Sequence, residues 1–192
     1  MEITHNKRFY YPPGGILIWM VVFLELITFS MALLVFLSQR QTDLQLFNES
    51  QKLLNSTLGM INMITLLTSG LFMISGLTEL KSNNQKKAVR YLGLTIGLGV
   101  LFMALKGYEY YEKVQMEPSL ISNEFSMFYW FITGFHFLHV LVAVVLLSFV
   151  LAKIKSGHYS HKNYEDMESV GIFWHMCDLI WIVVFPIIYL LH

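Results

Sequence analysis

The chain has 192 residues, 55% of them hydrophobic and 14% charged, with a formal net charge of zero and one cysteine; its mean hydropathy is +0.54. So little charge excludes an ordinary soluble domain of this length, and neutrality argues against a nucleic-acid partner, which calls for a basic excess. The lone Cys177 rules out an internal disulfide, and its apolar neighbours mark it as a small core residue.

A bilayer core about 30 Å thick needs roughly 20 apolar helical residues to cross it. Five stretches qualify: residues 15–37, 58–80, 89–110, 125–152 and 170–191. Each is a predicted helix, because an isolated strand in hydrocarbon leaves backbone groups unpaired at several kcal/mol apiece. Short connectors join them, so the fold class is all-α, a single transmembrane domain of five helices over residues 1–192 with no internal repeat. The first stretch follows Lys7 and Arg8, as a signal peptide would. It is longer than the roughly 7–15 residues of a secretory apolar region and contains Glu25, so it reads as a retained span.

Positive charge sets the predicted orientation. Lys7, Arg8, Lys81, Lys86, Lys87, Arg90, Lys153, Lys155 and Lys162 fall on one side, and only Arg40, Lys52 and Lys113 on the other. The N-terminus is therefore expected in the cytoplasm and the C-terminus outside. Tyr10, Tyr11, Tyr110, Tyr111, Tyr129 and Trp130 lie at span ends, where an aromatic belt belongs.

Ionisable groups inside lipid are costly and start as functional candidates. Glu25 is near the middle of the first span, and two readings are open: a proton-linked or partner-contacting carboxyl, or a protonated carboxyl hydrogen-bonded within the bundle. In the second span, Asn62, Thr65, Thr68, Ser69 and Gly70 are expected to line a helix contact. In the third, Gly93 and Gly97 form a G-x-x-x-G that would let a neighbour approach. Lys106 and Glu109 read as an intrahelical pair, with the lysine snorkelling toward the interface. The fourth span carries His136 and His139, and the fifth carries His175 and Asp178 flanked by Trp174 and Trp181. Four such groups could ligate a metal. A spacing of three on a helix serves a hydrogen-bonding network between the last two spans equally well, and that is the favoured reading. Pro186 should kink the fifth span near its end.

The strings themselves add a resemblance. FYWFITGFHFLHV from Phe128 to Val140 and ESVGIFWHMCDLIWIVVFPIIYLL from Glu168 to Leu191 resemble the last two helices of subunit III of cytochrome c oxidase. The shared patterns are T-G-F-H-x-x-H-V and E-x-x-x-x-x-W-H-x-x-D-x-x-W. Glu25 is similar to that family's buried membrane carboxylate, and LLTSG from Leu66 and KGYEY from Lys106 also fit. The likeness covers residues 15–191 and is to the shorter, five-helix bacterial form. Phe137 and Lys106 depart from the usual glycine and glutamine, and with the FPIIY ending they lean toward a branch that includes an accessory subunit of nitric oxide reductases.

The resemblance implies a subunit of a respiratory haem-copper oxidase complex in the bacterial plasma membrane. Such a subunit binds no haem, copper or other metal itself, and the haem and copper belong to a large catalytic partner. It packs on that partner, holds lipid in an interhelical cleft and supports the partner's proton uptake. The candidate structural, assembly or proton-linked residues are Glu25, His136, His139, Glu168, Trp174, His175, Asp178 and Trp181; none is expected to be catalytic. Two other classes compete on the residues alone. A membrane metalloenzyme needs histidine boxes, whereas His5, His158, His161 and His192 are scattered. A proton-coupled transporter usually shows repeats and broken helices.

Overall fold

A computed structural model describes residues 12–116, 123–159 and 163–191. Lys7, Arg8, Tyr10, Tyr11, Lys162, His5, His161 and His192, used above for charge, belt and histidine arguments, lie outside the described residues. The described chain is all helical: α1 (Ile16–Thr42), α2 (Leu44–Lys52), α3 (Ser56–Lys81), α4 (Gln85–Met116), α5 (Glu124–Lys155) and α6 (Glu165–Phe185), the last continued by a π-helical turn over Pro186–Leu190. Five of these are long and apolar enough to cross a membrane, with α6 and the π turn together making the fifth. The protein is a multi-pass membrane protein of five spans.

The local reasons are visible at the helix ends. Gly14 and Gly15 both adopt positive φ, which glycine reaches without a Cβ clash, and the Gly15 amide donates to the Pro12 carbonyl at 2.9 Å to form the turn that launches α1. Asp43, Asn55 and Asn123 cap α2, α3 and α5 through their side-chain oxygens. Between α3 and α4, Asn83 takes the left-handed conformation at φ 64, and the turn closes through Asn84 N to Glu79 O at 2.8 Å. Pro186 cannot donate to the helical ladder, and there α6 gives way to the wider π turn.

The helix α6 occupies the centre, touching α1, α3 and α5, while α4 closes on α3 and α5. The contact of α3 with α4 is polar at its core. Ser69 Oγ donates to the Thr95 carbonyl at 3.0 Å and Thr95 Oγ1 returns to the Ser69 carbonyl at 3.4 Å. Asn62, Thr65, Ser69 and Gly70 are buried in the helix contact as expected, but Thr68 turns outward and bonds back to the Ile64 carbonyl. Cys177 is buried. Tyr129 departs from the aromatic belt and is fully buried, because its hydroxyl is drawn to a charged group inside the bundle, whereas Tyr111 remains exposed.

The short helix α2 was not anticipated. It is too short to span, and its apolar side buries Phe47 against Phe36 and Phe125, with ring centroids at 5.3 and 5.8 Å. Its Gln51 Nε2 donates to the carbonyls of Ile187 and Ile188 at 3.1 and 3.0 Å, satisfying acceptors of the π turn.

Gly93 and Gly97 do not mediate a close helix approach: an added Cβ at either would meet nothing within 4 Å. The close approach on α4 is at Gly99, where a Cβ would sit 2.6 Å from the Trp174 ring and 2.9 Å from Val144. Spacing alone cannot tell which face of a glycine-bearing helix meets a neighbour. Gly97→Ala should therefore leave the unfolding midpoint of the detergent-solubilised protein unchanged or slightly raised. Gly99→Val should destabilise it by about 1–3 kcal/mol through overpacking. Equal effects of the two would contradict this packing.

Candidate functional site

The ionisable side chains singled out by the sequence lie at separate places along the bundle rather than in one network. Near the end of α4 furthest from Glu168, Lys106 is 0% exposed. Its ammonium lies 3.0 Å from Glu109 Oε1 and 3.2 Å from the Tyr129 hydroxyl, and it also reaches the Tyr189 hydroxyl. Glu109 Oε1 further accepts from Tyr129 at 2.6 Å and from Tyr189 at 2.5 Å. The rings of Tyr110, Tyr129, Trp181 and Tyr189 surround the ammonium at 4.9 to 5.2 Å. The intrahelical pair is present, but Lys106 does not snorkel. A carboxylate, two phenols and four aromatic faces offer it more inside than the interface offers outside. The sequence signal was Lys106 at three residues from Glu109; the two tyrosines come from α5 and the π turn and could not be assigned from spacing.

At mid-depth, Glu25 of α1 faces His139 of α5, with Oε2 3.2 Å from Nε2 and the Glu25 side chain 16% exposed. This is an ion-pair distance without the alignment of a hydrogen bond. His139 Nδ1 lies 2.8 Å from the Phe135 carbonyl, which can only accept, so Nδ1 carries hydrogen and Nε2 is the atom that meets the carboxyl. Rings of Phe29, Phe135 and Phe173 enclose His139 at 5.6, 4.5 and 6.2 Å.

His136 is one helical turn away and fully buried, yet neither ring nitrogen has a hydrogen-bond partner among the described residues. It stacks on Trp181 at 4.9 Å and 22° instead. His175 and Asp178 meet each other, Nδ1 to Oδ2 at 3.2 Å, on α6 against α3. A Cβ at Gly70 would collide with Asp178 Oδ2 and lie 3.3 Å from the imidazole, so glycine is what lets the pair sit against the α3 backbone.

The expected network joining His136, His139, His175 and Asp178 across the last two spans is thus corrected. His139 turns to α1, His136 packs on an aromatic ring, and His175 and Asp178 close on each other. Residues three apart on a helix point about 60° apart around its axis, enough to face different neighbours. Among the described residues no group of three or more His, Cys, Asp or Glu side chains is placed to hold a metal.

At the opposite end, Glu168 ties three elements. Its Oε1 pairs with Lys81 at the end of α3 at 2.7 Å, and its Oε2 accepts from the Gly14 amide before α1 at 3.2 Å. Ser169 Oγ adds a bond to the Gly14 carbonyl at 2.9 Å. Trp174 is fully buried against Gly99.

A five-span bundle with paired ionisable side chains sealed inside it defines a polytopic membrane protein whose polar groups join helices. The sequence model of the family described as cytochrome c oxidase subunit III matches residues 15–192. The chain is 33% identical over 132 residues to cytochrome c oxidase subunit 3 of Synechocystis, covering 68% of this chain and 55% of that protein. It is 30% identical over 131 residues to the subunit 3 of Spodoptera frugiperda, covering 68% and 86%. With a probable subunit 3 of Rickettsia bellii it shares 31% over 133 residues, covering 68% and 47%. The chain belongs to the cytochrome c oxidase subunit III family. It spans about half the length of the Synechocystis and Rickettsia relatives. These relatives are named for cytochrome c oxidases, and the nitric oxide reductase branch suggested by Phe137 and Lys106 draws no support from them.

Removing one member of the buried ion pair should cost far more than removing both. Lys106→Met strands the Glu109 carboxylate and should destabilise by about 3–5 kcal/mol. Adding Glu109→Leu should recover a large part of that loss in thermal unfolding of the purified protein. A double variant as unstable as the sum of the single ones would show that the two side chains act independently.

Proposed function

We propose that this chain is the haem-free third subunit of a bacterial cytochrome c oxidase, packed on the large catalytic subunit in the plasma membrane. The observation that carries this reading is the family match over nearly the whole chain, coinciding with a bundle of five spans. The electron and oxygen chemistry, with its haem and copper, belongs to the partner. This chain stabilises the partner, supports its proton uptake and holds lipid in a cleft between helices.

Glu25, His136, His139, Glu168, Trp174, His175, Asp178 and Trp181 serve assembly. The contacts of Glu25 with His139, of Glu168 with Lys81 and Gly14, and of His175 with Asp178 support that role, as does the packing of His136 on Trp181 and of Trp174 on Gly99, since polar bonds and close packing hold helices together where the hydrophobic effect between them is weak. Glu25 with His139 is the place where a proton could also be held. The chain is oriented with its Glu168 end in the cytoplasm, following the excess of lysine and arginine on that side.

Captured by an affinity tag from its native membrane, the protein should bring down a larger haem-bearing subunit; separated from it, the chain should show no Soret absorption. A haem spectrum in the isolated chain, or capture without any haem protein, would overturn the reading. For orientation, a reporter inserted at Asn83 should be active only in its cytoplasmic form, and one inserted beside Gln45 only in its external form. Reversed activities would invert the bundle.

A further inference from the structure

The His175–Asp178 pair is at mid-span in α6, and it differs from the other buried groups in opening outward. The His175 side chain is 37% exposed. Asp178 is almost fully buried, and its Oδ1 has no hydrogen-bond partner among the described residues. His175 bonds only through Nδ1, to Asp178, so Nε2 remains for an acceptor or donor outside the chain. Thr28, Thr68 and Ser75, which also turn outward from α1 and α3, bond back to carbonyls of their own helices. The pair has no such retreat.

Hydrocarbon tails offer no hydrogen bond, and lipid headgroups lie roughly 15 Å from the bilayer centre. A half-exposed imidazole beside a carboxyl at this depth therefore calls for a protein partner. The surroundings fit a helix. Leu179, Ile182 and Val183 follow the pair on α6, Leu71 and Ile74 follow Gly70 on α3, and all five are exposed apolar side chains. Gly70 lets the polar centre lie flush against the α3 backbone.

We propose that this seam between α3 and α6 is the docking face for one transmembrane helix of the large catalytic subunit, which presents a hydrogen-bonding side chain to His175 Nε2. The inference rests on the partnership proposed above and adds the surface that carries it. Apolar side chains supply the packing area, and the pair selects the register, because any other register buries His175 and Asp178 against hydrocarbon side chains.

The test uses the complex captured from native membranes, with a benzophenone amino acid at Leu179, which is 47% exposed, and in separate variants at Phe149 of α5 or Leu94 of α4, both exposed on other faces. Illumination should link position 179 to the large subunit with a yield several-fold above either control. Linkage from 149 or 94 instead, or capture by 179 of lipid or a second copy of this chain alone, would overturn the docking face while leaving the partnership standing. Absence of the large subunit from the captured material defeats both. In parallel, His175→Gln, which can still hydrogen-bond, should keep the large subunit attached through detergent washing. His175→Leu should lose about tenfold more of it than His175→Gln does. Equal retention would mean that the pair does not contribute to docking.

Discussion

Hydrocarbon gives a polar group no partner, and the bundle is organised by the need to supply partners from within. Lys106 and Glu109 are the sharpest case. A lone ammonium or carboxylate at that position would be prohibitive; together, with two phenols and a cage of rings, they draw α4, α5 and the π turn to one point. The π turn brings Tyr189 to the pair, and α2 in turn supplies Gln51 for the carbonyls of that turn. A single charge pair thus accounts for the arrangement of one whole end of the molecule.

The same requirement explains why each buried group found a different solution. Glu25 meets His139 across two helices, His175 meets Asp178 along one, and Glu168 gathers a lysine and a backbone amide where water is near. Burial of the last pair is partial, so its Coulombic contribution is modest, of the order of 1 kcal/mol or less. Its value is geometric, because it fixes where α1 and α6 begin relative to the end of α3. Fixed geometry of this kind is what the proposed assembly role would draw on.

Much of this was legible in the residues. The five spans were, because a run of about 20 apolar residues has few alternatives, and the helices extend past the predicted limits by only a few residues at most ends. The family was legible in the strings around His136, His139, His175 and Asp178. The facing of side chains was not. Lys106 looked like an interfacial lysine because the distance to the end of a span is visible in sequence and the tyrosines of α5 and the π turn are not. Gly93 and Gly97 had the right spacing but the wrong face, and Gly99 had the contact without the motif. The short helix α2 escaped because it is neither long nor apolar, and its role is defined by carbonyls far away in the chain.

The ends of α3 and α6 are tied to each other twice. Lys81 at the last turn of α3 holds Glu168 at the first turn of α6, and Ser56 at the start of α3 donates to the carbonyl of Tyr189 at 3.3 Å. The two helices therefore form a strut that cannot slide. Its 26 residues in each helix correspond to about 39 Å at 1.5 Å per residue. In a thinner or thicker bilayer this pair keeps its length, and the lipid around it must stretch or compress to match. The helix α1 is held to this strut at one end by Gly14 and to α5 at mid-depth by Glu25 and at the other end by Gln39, whose Nε2 donates to Glu124 at 2.6 Å. Membrane thickness becomes a property the protein imposes on its surroundings near α3 and α6.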